Sequence, residues 1–282
     1  MKQFVRRSIL FFIPLISVLY IRSIYLLISD EYKNIVAGNE IYISIKKSKQ
    51  KSNKKIVLIG DSVGNQLFSN KNDHDSINSL ASNQAIGVIG QYLLLNNYLK
   101  SGNKPERVYM IYNPFSFQNN LNQIFTFHYF LKPFYKDEYV DVFSNTVINQ
   151  IDKIPFSNFC REPYILTSNW SPNFNSDDSI DYTFLSPISK EYLIKINKLC
   201  TTNNISFYII PAPTKVSNKR VVQRFNKKEV LGLSLENELT YYLSNIGYFP
   251  DSLFLDYVHL KEPENLRSYI LNEMNQIKQH QK

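Results

Sequence analysis

Three short runs constrain the fold most: "KIVLIG" (55–60), "RVYMIYN" (107–113) and "NISFYIIPAP" (204–213). Each is apolar almost throughout and ends in turn chemistry, at Gly60-Asp61, Asn113-Pro114 and the prolines 211 and 213. A strand covered on one face alternates apolar with polar, whereas one buried on both faces reads as a continuous apolar run. Helical patterns lie between the runs. "GVIGQYLLLNNYLKSG" (87–102) places Tyr92, Leu95 and Leu99 on one face, and "SKEYLIKINKLCTTNN" (189–204) precedes the third run directly. Strands alternating with helices predict an α/β fold, a central parallel sheet with helices on both sides.

A chain of 282 residues with 44% hydrophobic content buries a substantial core, as one domain or one domain with an appendage. From Phe115 to Ser186 the pattern loosens into Phe-, Tyr-, Asn- and Pro-rich sequence, read as an insertion of helices and loops over the sheet. It walls a cleft or simply packs its aromatic rings. Part of the net charge of +8 sits in "KKSKQKSNKK" (46–55), read as a solvated linker in preference to a contact for phosphate head groups or an anionic polymer. No zinc-finger spacing or RNA-binding signature accompanies it, so nucleic acid is not an expected partner. Cys160 and Cys200 are too few for a disulfide scaffold and read as unpaired, buried thiols.

The first thirty residues open with Lys2, Arg6 and Arg7, turn apolar from Ile9 to Ile21, and resume after Arg22 as far as Ile28. That is about one bilayer crossing, since roughly 20 helical residues span the hydrocarbon. No small-residue cleavage pattern follows. The expectation is an uncleaved, single-pass anchor over residues 1–30. A basic linker over 31–54 and an extracytoplasmic domain over 55–282 would follow it.

Chemistry gathers at the carboxyl ends of parallel strands. Ser62 follows the first run in "GDSVG", and Asn113 ends the second. Near the carboxyl terminus, "SLFLDYVHL" sets Asp256 and His259 three apart, a spacing that puts both on one face of a helical turn. A carboxylate there can hold one ring nitrogen of the histidine and leave the other to serve a serine hydroxyl. The G-x-S-x-G spacing also fits the elbow of α/β-hydrolases, whose serine follows several strands and an oxyanion loop. Only a short, mostly polar stretch separates the N-terminal apolar segment from the serine strand, which leaves no room for them.

On these blocks the sequence resembles the SGNH (GDSL-type) hydrolases and acyltransferases over roughly residues 55 to 275. "GDSV" matches the first block, with Val63 in place of the usual leucine, and the final D-x-x-H reads "DYVH". The resemblance implies Ser62 as nucleophile, His259 as base and Asp256 as its orienter. It also implies an oxyanion hole built from the Ser62 N–H, a glycine and Asn113. The glycine is best matched by Gly87, with Gly90 second. The third block, "IYNPF", keeps Asn113 but lacks the usual glycine and aspartate. An SGNH/flavodoxin-like three-layer sandwich follows, with no metal and no cofactor.

The layout looks most like the membrane-anchored subgroup that includes DltD-like and alginate-acetylation proteins. This implies acyl transfer on a cell-envelope polysaccharide, beside a multispanning membrane acyltransferase. Two alternatives stay open: a carbohydrate or lipid esterase with the same triad, and an inactive scaffold subunit of an envelope-modifying complex.

Overall fold

The computed structural model describes residues 2–29, 32–161, 169–173 and 182–280. Its centre is a four-stranded, all-parallel sheet of β1 (Ile56–Gly60), β2 (Ile77–Ser79), β3 (Arg107–Tyr112) and β4 (Ser206–Pro211), in the order β2-β1-β3-β4. A two-stranded parallel pair, β5 (Thr214–Lys215) and β6 (Tyr248–Phe249), lies apart from it. All three apolar runs form strands of this sheet, β1 and β3 in its middle and β4 at one edge, and the period of two sorts their side chains onto two faces. Val57, Ile59, Val108, Met110, Phe207 and Ile209 enter one core, while Leu58, Tyr109, Ile111, Tyr208 and Ile210 enter the other. Double-sided burial is the physical reason these runs carry no polar alternation.

The long helices divide between these faces. On the first pack α2 (Asn39–Ser48), α4 (Gly87–Lys100), α5 (Pro187–Thr202) and α6 (Glu236–Ser244), through residues such as Ile41, Leu94, Ile196 and Tyr242. On the second pack α3 (Ser62–Leu67) and α7 (Glu264–His280), through Val63, Leu67, Ile270 and Met274. From β1 the chain moves outward to β2, then returns across β1 to β3 and β4. The reversal puts a topological switch point between the carboxyl ends of β1 and β3, where open α/β sheets form their clefts.

The N-terminal segment needs correcting. Residues Lys2–Ser29 form a helix, α1, whose described apolar side chains, among them Phe4, Leu10, Ile16 and Ile21, are exposed. Yet among the described residues no helix is long and apolar enough to cross a membrane. Pro14 lies inside α1, and Ser8, Ser17 and Arg22 interrupt its apolar sequence, each a polar or helix-disrupting break where a spanning segment needs continuity. The single-pass anchor is therefore withdrawn. With it go the membrane as a partner, the multispanning acyltransferase and the extracytoplasmic location. The expected fold class keeps its flanked parallel sheet and loses its transmembrane helix.

The segment expected to be a linker is also more ordered than its charge implies. Within 31–54, α2 buries Ile41 and Tyr42 and packs Ile45 against the core, an apolar stripe on a basic helix. Lysines of the 31–54 segment find local partners. Lys47 Nζ donates to the carbonyls of Asn70 (3.1 Å) and Asn72 (3.2 Å), and Lys54 Nζ to those of His74 (2.9 Å) and Asp75 (2.8 Å). The insertion after Phe115 is a set of short helical turns, among them Phe127–Leu131, Asn145–Ile151 and Ser157–Arg161. The rest of that reading, over 162–168 and 174–181, lies outside the described residues. Both cysteines are free and buried, and burial pushes each thiol up to about 12.

Candidate active site

The turn after β1 is built around Asp61, which is fully buried. Its Oδ1 accepts from the N–H groups of Val63 (3.0 Å) and Gly64 (3.3 Å), capping α3, as aspartate does at a helix N-terminus. Its Oδ2 accepts from the Asn113 N–H and the Ser116 hydroxyl, both at 2.6 Å, so one carboxylate ties the end of β1 to the end of β3. Burial pushes this carboxyl above its ordinary range, against the four hydrogen bonds that pull it down. From the other side Gln91 of α4 grips the last residue of β1, its amide accepting from the Gly60 N–H (3.0 Å) and donating to the Gly60 carbonyl (2.7 Å). Gly60 must be glycine, because a Cβ there would run into the Ile111 carbonyl oxygen. A Cβ on Gly64 would lie 3.0 Å from that same oxygen. The second glycine of "GDSVG" thus serves the close approach of α3 to β3.

Ser62 is the first residue of α3, set on this braced turn and partly exposed. The structure brings it to His259, whose Nε2 lies 3.0 Å from Ser62 Oγ across 197 positions of sequence. His259 Nδ1 lies 2.7 Å from Asp256 Oδ2. Asp256 and His259 do not sit on a helical turn, as their spacing predicts. They occupy a tight loop between Phe254 and Leu260, which pair as an antiparallel bridge. Asp256 shapes that loop itself, its Oδ1 accepting from the N–H groups of Val258 (2.9 Å) and His259 (2.8 Å). Burial raises the Asp256 carboxyl, but those two N–H groups and the imidazole together outweigh it and hold the group at about 2. It is thus a carboxylate at any ordinary pH, an acceptor that fixes Nδ1 as the protonated nitrogen and leaves Nε2 to accept.

A second rung joins the same two elements. Gln66 lies one turn beyond Ser62 on α3, and Leu260 follows His259. The Gln66 amide donates to the Leu260 carbonyl (3.2 Å) and accepts from the Leu260 N–H (3.0 Å). Ser62–His259 and Gln66–Leu260 therefore form parallel contacts between helix and loop, since positions i and i+4 share a helix face. Arg267 of α7 donates from Nε to the Leu67 carbonyl (2.8 Å), and Asn218 Nδ2 to the Tyr257 carbonyl (3.0 Å).

Asn113 is buried at the end of β3. Its Oδ1 accepts from the Phe115 N–H (3.1 Å), and its Nδ2 donates to none of the described residues. Gly87 begins α4 with φ +60°, a conformation that favours glycine, but its N–H already donates to the Gln84 carbonyl. Gly90 lies within α4, tight against Ile86. No hydrogen bond joins either glycine to Ser62, Asn113 or His259 among the described residues.

Beside His259 opens a cleft of about 780 Å³, bounded by Asp256, Tyr257, Phe115 and the segment from Gln118 to Phe125. The aromatic insertion does form a wall. Two further histidines and the single tryptophan lie elsewhere. His128 stands 3.1 Å from Lys132 Nζ, with burial and that lysine lowering it to about 4. His74 hydrogen-bonds to the Ser69 carbonyl (3.1 Å), and the half-exposed Trp170 packs edge-on against Phe127 and Phe156. Among the described residues no group of three or more His, Cys, Asp or Glu gathers as metal ligands do.

Sequence reasoning missed Gln66, Gln91 and Ser116. It also missed the bracing role of Asp61, because nothing local marks the partners of these residues. Compared with family models, curated proteins and solved structures, the chain matches none. The expected membership of the SGNH superfamily and its membrane-anchored subgroup is accordingly withdrawn. Four short blocks do not extend into likeness along the chain, and what stands is an α/β fold with a flanked parallel sheet.

Proposed function

We propose that the protein transfers acyl groups through an ester on Ser62. The observation that carries this reading is the hydrogen-bonded chain from Asp256 through His259 to Ser62, at 2.7 and 3.0 Å, set at the switch point of the sheet. Such a chain lets the imidazole take the hydroxyl proton as the oxygen attacks, with the carboxylate stabilising the imidazolium that forms. The Ser62 oxygen bonds to the acyl carbon as its proton passes to His259 Nε2. The adduct then collapses, the ester C–O bond breaks, and the proton leaves with the departing alkoxide. Water or a sugar hydroxyl next gives its proton to Nε2 and bonds to the acyl carbon; the acyl–Oγ bond then breaks and Ser62 Oγ takes that proton back from Nε2. Water makes the protein an esterase, and a sugar hydroxyl makes it a transferase.

The developing oxyanion would meet the Ser62 N–H at the start of α3 and the Asn113 amide. One such donor is worth about 2.7–4 kcal/mol of barrier. The Gly87 N–H has no part in this reading, being already engaged by Gln84. The test is covalent labelling by a fluorophosphonate together with aryl-acetate turnover. Wild type should label and turn over, and Ser62→Ala should do neither. A wild type that stays unlabelled would refute the proposal.

A further inference from the structure

We propose that the cleft beside His259 binds a neutral, hydroxyl-rich chain, namely the sugar units of an uncharged glycan. The inference rests on the acyl-serine reading for its function, since a glycan bound there would carry the ester or accept the acyl group. Its content comes from the cleft itself. At about 780 Å³ the cleft falls within the range of small-ligand sites, about 300–1,000 Å³.

One wall is a run of side-chain amides, Gln118, Asn120, Asn122 and Gln123. An amide offers both donors and an acceptor, which is the pairing a sugar hydroxyl requires. A hydrocarbon chain laid in the cleft would cover this amide wall without pairing it, so a lipid acyl tail is the poorer occupant. Two rings rise beside the amides, Phe125 at 57% and Tyr257 at 51% exposure, large flat surfaces for the apolar faces of sugar rings.

Charge decides against the competing polymers. Among the described residues lining the cleft, the ionisable side chains include Asp256, His259 and Tyr257, with no lysine or arginine. Phosphate and carboxylate ligands are held by cationic forks and point charges, so a uronate or polyphosphate chain finds no counter-charge here and meets the Asp256 carboxylate instead. The positive charge of this chain is spent elsewhere, as where Lys47 and Lys54 bind the 70–75 loop.

The experiment titrates full-length Ser62→Ala, which keeps the cleft and cannot turn over, with cellohexaose, chitohexaose and a galacturonate hexamer by calorimetry. At least one neutral hexamer should bind, the uronate at least tenfold more weakly. Tyr257→Ala and Gln123→Ala, each added to Ser62→Ala, should weaken the neutral ligand at least fivefold. Failure of both neutral hexamers to bind, tighter binding of the uronate, or indifference to both substitutions would overturn the inference. Fluorophosphonate labelling of the wild type separates this from the underlying reading. Labelling without glycan binding refutes the cleft assignment alone, and binding without labelling upholds the cleft and refutes the acyl-serine chemistry.

Discussion

Gln66→Ala tests whether the second rung between α3 and the 254–260 loop keeps the first in place. Leu260 is almost fully buried, and the Gln66 amide partners both its N–H and its carbonyl. Truncation strands two backbone groups, each worth about 1–3 kcal/mol when left unmet. Gln66 is itself only partly buried, so water recovers some of this, and a net loss of about 2–3 kcal/mol is expected. For a chain of this size that lowers Tm by about 4–10 °C. The Phe254–Leu260 bridge and the Asn218–Tyr257 contact keep the loop near its position, so KM should change less than threefold. His259, however, loses the neighbour that sets its distance from Ser62. A misplacement of about 1 Å costs on the order of 100-fold in rate, and kcat should fall about 10- to 100-fold. Gln66→Glu keeps the acceptor for the Leu260 N–H but turns a second oxygen toward the Leu260 carbonyl, so it should lose at least as much. Aryl-acetate kinetics and urea denaturation on the same preparations measure both quantities. If stability falls as stated while kcat stays within twofold of wild type, Gln66 merely fastens the loop, and the two-rung reasoning is wrong.

Two further outcomes follow from the electrostatics. Asp256→Asn should lower kcat at least about 100-fold with little change in KM, because the amide cannot accept from both Nδ1 and the loop N–H groups while keeping the tautomer. Its stability cost should be small. The folded carboxyl sits at about 2 against an ordinary 3.8, but its side chain is 57% exposed, so about 1 kcal/mol is expected, present above pH 4 and lost as pH falls toward 2 in denaturation curves. The half-buried histidine beside Lys132 works in a different window. His128, lowered to about 4 by burial and by Lys132, stays neutral in the folded state at pH values where the unfolded chain is protonated. Stability should therefore fall by about 2–3 kcal/mol between pH 6.5 and 4, and His128→Gln should flatten that slope. An unchanged slope in the variant would remove His128 as its cause.

Burial on two faces needs unbroken apolar sequence, so β1, β3 and β4 were legible from composition along a few residues. The parallel architecture followed from the helical patterns between them. Ser62 and Asn113 could be placed at strand ends for the same reason, and the Asp256–His259 contact is short-range, so spacing alone suggested it. Its setting was misread, because the Asx-type bonding of Asp256 to two loop N–H groups replaces the helical turn. Apolar content also predicted a helix over α1. It overstated what that helix is, since amount of apolar residue is not continuity.

Tertiary structure alone decided the rest. The 197 positions between Ser62 and His259 close only because α3 and the 254–260 loop pack at one end of the sheet. Asp61 with Ser116, Gln91 with Gly60, and Gln66 with Leu260 are single polar residues satisfied by distant backbone or side chains. Their sequence neighbours carry no trace of those partners. Local pattern reports which face of an element is covered, because periodicity is a property of one segment. It cannot report which polar groups meet across elements, because that is set by where the chain returns.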